Sequence, residues 1–135
     1  MAINHILIVE DQGALSGSLA RRFTRRGFQI SESSDANLAL SILKSGQIHL
    51  CICDIHLGEE LTGLDIMRMA QAEGLRVPFV FLTGHDEQTD ENKAARDAGA
   101  ADIFVKPTDF SVLYQRICVL LGLTPDEILT FGIKP

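Results

Sequence analysis

Five short runs of branched apolar residues, set apart by segments whose apolar positions recur at helical spacing, constrain this chain more than anything else in it. The runs are Ile6-Leu7-Ile8-Val9, Phe28-Gln29-Ile30, Ile48-His49-Leu50-Cys51-Ile52-Cys53, Phe79-Val80-Phe81-Leu82 and Ile103-Phe104-Val105. Four are nearly continuous, as suits strands covered on both faces. The Phe28 run is shorter and more polar, and reads as an edge strand. Between the runs the period lengthens, through Leu15, Leu19 and Phe23, then Leu38, Ile42 and Leu43, then Leu64, Met67 and Ala70. A polar, acid-started helix is predicted from Asp86 to Ala98, ending at Gly99, and another from Phe110 to Leu121, ending at Gly122. Such alternation predicts an α/β fold: a parallel sheet with helices on both faces and right-handed crossovers.

The chain has 135 residues, room for one domain. With 46% hydrophobic and 22% charged residues it can build an ordinary core of Leu, Ile, Val and Ala. The division expected is a domain over residues 1–122 and a short helical tail over 123–135. In that tail Thr124-Pro125-Asp126-Glu127 joins an N-cap, a proline at the first helical position and a following Glu, predicting a helix around Pro125 to Phe131.

A formal net charge of −6 argues against general nucleic-acid binding, which needs many Lys and Arg to neutralise phosphates. It leaves room for a local basic patch. Met1 to Val9 has no cationic leader region, and its apolar run is too short for a signal peptide or membrane span. A cytoplasmic location is expected. Three cysteines, an odd number, fit reduced thiols in that compartment.

Chemistry-bearing residues collect where the runs end. Glu10 and Asp11 follow the first, Asp54 the third, Thr83 the fourth and Lys106 the fifth. In open parallel sheets ligands bind outside the carboxyl ends of strands, where strand order reverses. Two like charges about 4 Å apart repel by roughly 4 kcal/mol at an effective dielectric near 20, so three carboxylates in one pocket need a cation. An all-oxygen site that keeps waters suits magnesium, and Lys106 adds a point positive charge. A carboxylate so placed can attack phosphorus, and Asp54 is central enough to do it.

Taken together, Ile6-Leu7-Ile8-Val9-Glu10-Asp11, Ile52-Cys53-Asp54-Ile55-His56-Leu57, Phe81-Leu82-Thr83-Gly84 and Gly99-Ala100-Ala101-Asp102-Ile103-Phe104-Val105-Lys106-Pro107 resemble the response regulator receiver domains of two-component signalling, in order and spacing. The resemblance spans about Asn4 to Leu121 and is to a stand-alone, chemotaxis-regulator-like receiver. It implies a flavodoxin-like, doubly wound sheet in strand order 2-1-3-4-5. By the same resemblance Glu10 and Asp11 match the metal-binding acid pair, Asp54 the phosphoacceptor, Thr83 the switch hydroxyl and Lys106 the phosphate-contacting lysine. The backbone carbonyl of His56 would complete a Mg2+ site. The implied donor is a phosphohistidine on a sensor histidine kinase or phosphotransfer protein, and the output is altered affinity for a downstream protein. No direct nucleic-acid or membrane partner and no enzymatic role beyond the chain's own phosphorylation are expected; a monomer or weak homodimer is.

Three positions depart from the family pattern. Ile103 stands where Tyr or Phe is usual, so coupling to the fourth and fifth helices is either lost or runs through repacking of Ile103. Gly58 replaces a common proline, and Gly63 lies one residue later than usual. His56 and His85 follow Asp54 and Thr83 by two residues, where they are expected to modulate the phosphoryl lifetime.

Blander readings stand beside these. Any one of the acids taken alone is most simply a loop carboxylate on a solvated edge. His49, Cys51 and Cys53 alternate on one strand face, which fits buried thiols better than a metal row, and Cys118 reads as helix core. Arg21, Arg22, Arg25 and Arg26 around Phe23 form either a solvated polar face or, through Arg22 and Arg26, a dock for an acidic kinase or phosphotransfer partner. A pseudo-receiver used only for interaction is the main alternative. An aspartyl-phosphate phosphatase of the haloacid dehalogenase type would want an Asp where His56 stands.

Overall fold

The computed structural model describes residues 3–58, 60–84 and 90–124. Strands β1 (His5–Val9), β2 (Gln29–Ser33), β3 (Leu50–Asp54), β4 (Phe79–Thr83) and β5 (Asp102–Val105) alternate with helices α1 (Gly13–Arg25), α2 (Ala36–Lys44), α3 (Gly63–Ala72), α4 (Asp90–Asp97) and α5 (Phe110–Leu120). All neighbouring strands pair parallel, in the order β2-β1-β3-β4-β5. The parallel sheet is the one the alternation predicted, and the strand order is the flavodoxin-like one that the resemblance implied.

Strand alternation divides the core into two layers. Leu7, Val9, Cys51, Cys53, Phe79, Phe81 and Ile103 face α2, α3 and α4 through Ala39, Leu43, Ile66, Met67, Ala70 and Ala95. Ile6, Ile8, Leu50, Ile52, Val80 and Leu82 face α1 and α5 through Leu19, Phe23, Leu113, Tyr114 and Ile117. Side-chain caps start three helices: Asp35 accepts from Asn37 N, Asp109 from Ser111 N, and Thr62 and Asp65 form a reciprocal capping box. Gly99 and Gly122 follow α4 and α5 in positive φ, as their places in the sequence predict.

Some bounds differ from the sequence reading. β2 begins at Gln29 and runs through Ser31 and Glu32 to Ser33, because an edge strand is held by pairing to β1 and not by burial. Phe28 stays outside it, its ring edge-on to Phe23 and Tyr114. β3 starts at Leu50, although Ile48 is buried as expected. Leu38 lies on the outer side of α2, half exposed, and Ala36, Ala39 and Leu43 form its buried side. The first residues of the helix predicted from Asp86, and the tail helix from Pro125, lie outside the described residues. Leu123 packs against the α1 and α5 layer.

Candidate functional site

Glu10, Asp54, Thr83 and Lys106 meet at the carboxyl rim of the sheet because β1, β3, β4 and β5 end there together. The Lys106 ammonium lies between two acids, donating to Asp54 Oδ2 at 2.7 Å and to Glu10 Oε2 at 3.0 Å. Asp54 Oδ1 accepts from the His56 backbone N–H at 3.1 Å, and Glu10 Oε1 from that of Gln12 at 3.2 Å. Asp11, exposed beside them, completes a group of three carboxylates with ligand atoms within 4.8 Å of one another. Asp54 and Glu10 are buried, and the cavity above them, about 330 Å³, is lined by Asp11, Asp54, His56, Gly58, Gly84 and Lys106 among others.

Burial is the largest influence on Glu10. Desolvation, with Asp54 beside it, raises its pKa to about 7, against the lowering effect of the Lys106 and Gln12 donors. Burial works against the Lys106 charge, yet the hydrogen bonds it donates to Asp54 and Glu10, with their negative charge, outweigh it and its pKa is raised. One ammonium therefore serves two acids, and the second acid is left short of positive charge. Three carboxylates around such a deficit, one of them protonated near neutrality, suit a hard divalent cation.

The loop after Asp54 is built around two glycines. Gly63 N donates to Ile55 O at 2.8 Å, and a Cβ on Gly63 would collide with the Asp54 carbonyl oxygen and approach Cys53 Sγ to 2.9 Å. Gly58 has φ of 69°, which the locked ring of proline cannot adopt; this accounts for the departure from the family pattern at that position.

Thr83 is fully buried at the end of β4, and its carbonyl accepts from Lys106 N at 2.7 Å. Ile103 is also buried, in the layer facing α2 to α4, while Phe104 packs in the opposite layer as alternation predicts. His56 Nε2 lies 2.7 Å from Glu91 Oε2 on α4. Nothing in the sequence marks Glu91 except its place in the first turn of that helix. His85 lies outside the described residues.

Away from the rim, Cys51 and Cys53 are wholly buried, and His49 Nδ1 accepts from His5 N at 2.9 Å. Among the described residues the candidate metal group is Glu10, Asp11 and Asp54 alone. On α1 the Arg26 guanidinium lies 4.8 Å from the Phe110 ring centre and 5.1 Å from that of Tyr114, and Arg22 lies 5.1 Å from Phe110. The arginine face is therefore partly a lid on the aromatic seam between α1 and α5.

A family model described as the response regulator receiver domain matches residues 6–118, the stretch that supplies every strand from β1 to β5. The chain belongs to this family. Among relatives of this receiver, the response regulator MprA of Mycolicibacterium vanbaalenii is 32% identical over 123 residues, covering 90% of this chain and 52% of that protein. The regulatory protein VirG of Agrobacterium tumefaciens is 25% identical over 126 residues, covering 93% and 46%. The receiver thus spans about half the length of these relatives. Among solved structures, a CheY-like receiver domain protein from Methanospirillum hungatei superposes with a TM-score of 0.81 at 23% identity, covering 90% of this chain and 95% of that one. The response regulator TrrA of Thermotoga maritima, in complex with Mg(2+)-BeF, superposes with a TM-score of 0.75 at 23% identity, covering 87% and 99%. Response regulator receivers are signalling modules, and no helix among the described residues is long and apolar enough to cross a membrane.

Proposed function

We propose that this receiver is a phosphoacceptor switch: Asp54 takes a phosphoryl group from a phosphohistidine donor, and the modified domain changes its affinity for a partner protein. The supporting observation is the convergence of Lys106 on both Asp54 and Glu10, at 2.7 and 3.0 Å, beside Asp11. Glu10, Asp11, Asp54 and the His56 backbone carbonyl would hold Mg2+. Bound there, the ion would offset charge on the phosphoryl oxygens.

In the transfer an Asp54 carboxylate oxygen bonds to phosphorus as the phosphorus–nitrogen bond breaks, and the imidazole leaves with that electron pair. Lys106 already faces Asp54, so it meets the new phosphoryl oxygens without moving far and loses its carboxylate partner as they form. Thr83 is the hydroxyl that follows the phosphoryl group inward, drawing on the β4–α4 connection. Ile103, already buried, can respond only by repacking. His56 and His85 tune the lifetime of the acyl phosphate, and Arg22 and Arg26 meet an acidic donor protein. The receiver proper covers residues 1–122, works in the cytoplasm as a monomer or weak homodimer, and contacts neither nucleic acid nor membrane.

Incubation with magnesium and a small phosphoryl donor tests this. The wild type should gain one phosphoryl mass and Asp54→Asn none; a wild type that gains none would make the domain a pseudo-receiver.

A further inference from the structure

The rim of the phosphoacceptor cavity is linked to α4 by one side-chain pair. His56 sits in the loop that follows β3, its backbone N–H on Asp54 Oδ1, and its side chain lines the same cavity as Asp11 and Lys106. Its ring reaches over to α4, where Nε2 meets Glu91 Oε2 at 2.7 Å. One end of this bridge is anchored to Asp54 through the His56 backbone, and the other to the first turn of α4.

We infer that Glu91 is a positioning residue: its carboxylate holds the His56 imidazole across the cavity mouth and so slows the approach of water and of small phosphoryl donors to Asp54. The inference rests on the reading of Asp54 as phosphoacceptor and adds a residue to its control. The 2.7 Å pairing with Glu91 favours the imidazole rotamer that reaches toward α4. Both side chains are partly exposed, 41% and 57%, so the pair is weak enough to open and close and cannot seal the site. Access is therefore slowed and not blocked. Because the bridge stands between solvent and Asp54 in both directions of the chemistry, gain and loss of the phosphoryl group are slowed together. A residue that merely helped water attack would act on loss alone.

Glu91→Ala should raise both the rate of phosphorylation by acetyl phosphate and the rate of hydrolysis after the donor is removed, each about two- to fivefold, the factor by which loss of one exposed pair shifts an open fraction. Glu91→Asp keeps a carboxylate and should fall between Glu91→Ala and wild type. Asp90→Asn removes a neighbouring charge from the same helix turn and should change neither rate. The nitrogen resonances of the His56 ring should move in Glu91→Ala and stay in Asp90→Asn. Unchanged rates in Glu91→Ala, a change confined to hydrolysis, or equal effects from Asp90→Asn would each overturn the inference while leaving the phosphoacceptor reading intact. A wild type that takes no phosphoryl group would overturn both.

Discussion

Lys106 and Asp54 are in contact at 2.7 Å although 52 residues separate them in the chain. The ammonium holds the Asp54 carboxylate in place and neutralises part of a cluster that would otherwise repel itself. Replacing it removes the positive side of a largely buried pair and leaves Asp54 and Glu10 facing each other, which costs about 2–4 kcal/mol. Lys106→Met should accordingly unfold at lower urea concentration, and millimolar Mg2+ should restore part of the loss by supplying charge to the same acids. Equal stability of variant and wild type without Mg2+ would show that the cluster is already relieved by solvent.

Glu10 gives the site a pH dependence of definite sign. Its pKa is about 7 in the folded chain against 4.5 ordinarily, so between these values the folded form holds a proton that the unfolded form has lost. Stability from this group is full below the unfolded value and is lost as pH rises through about 7. A cation bound by Glu10 must expel that proton. Mg2+ affinity should therefore rise about tenfold between roughly pH 6 and pH 8, and Glu10→Gln should flatten the dependence. Calorimetric titration at the two pH values measures it; a flat wild-type profile would mean that Glu10 does not take part in binding.

Gly63 predicts a second kind of failure. A Cβ there runs into the Asp54 carbonyl, a backbone atom fixed by the β3 ladder, so the loop and not the strand must yield. Gly63→Ala should lose about 1–3 kcal/mol of stability. It should also slow the proposed phosphorylation more than it perturbs the remaining fold, because the displaced atoms belong to Asp54. Urea unfolding and phosphorylation rate measured on one preparation separate the two effects.

The parts of this fold that are legible in the sequence are those fixed by burial. β1, β3 and β4 are covered on both faces, so their runs are nearly uninterrupted and their ends place Glu10, Asp54 and Thr83 at one rim without coordinates. β2 is held by one neighbour's backbone, and backbone pairing leaves no mark in side-chain type; its apolar run, Phe28 to Ile30, therefore does not show the extent of the strand through Ser33. Leu38 misleads for the opposite reason, being apolar yet half exposed while the small Ala36 and Ala39 take the contact with the sheet. The His56 to Glu91 bridge is illegible because it joins a loop to a helix turn with no spacing rule between them. Gly63, by contrast, is visible as an irregular spacing, and its meaning emerges only from how near it lies to Asp54.

Arg22 and Arg26 look equivalent in sequence and differ in the structure, which turns the docking reading into a sharper prediction. Arg26 is half buried, stacked on both Phe110 and Tyr114, and its Nη1 donates to Arg22 O at 3.0 Å. Arg22 is exposed, and its guanidinium lies over Phe110 but not over Tyr114. Arg26→Glu forfeits two cation–π contacts worth about 0.5–1 kcal/mol each and sets a carboxylate against ring faces, so it should destabilise the α1 and α5 seam measurably. Arg22→Glu should cost little stability and still slow transfer from an acidic phosphohistidine donor, through a lower association rate that recovers the wild-type value as salt screens both proteins. Transfer from a protein donor and from acetyl phosphate, compared at low and high salt, separates the two. An Arg22→Glu variant whose protein-donor rate equals wild type at low salt would remove this face from the docking surface.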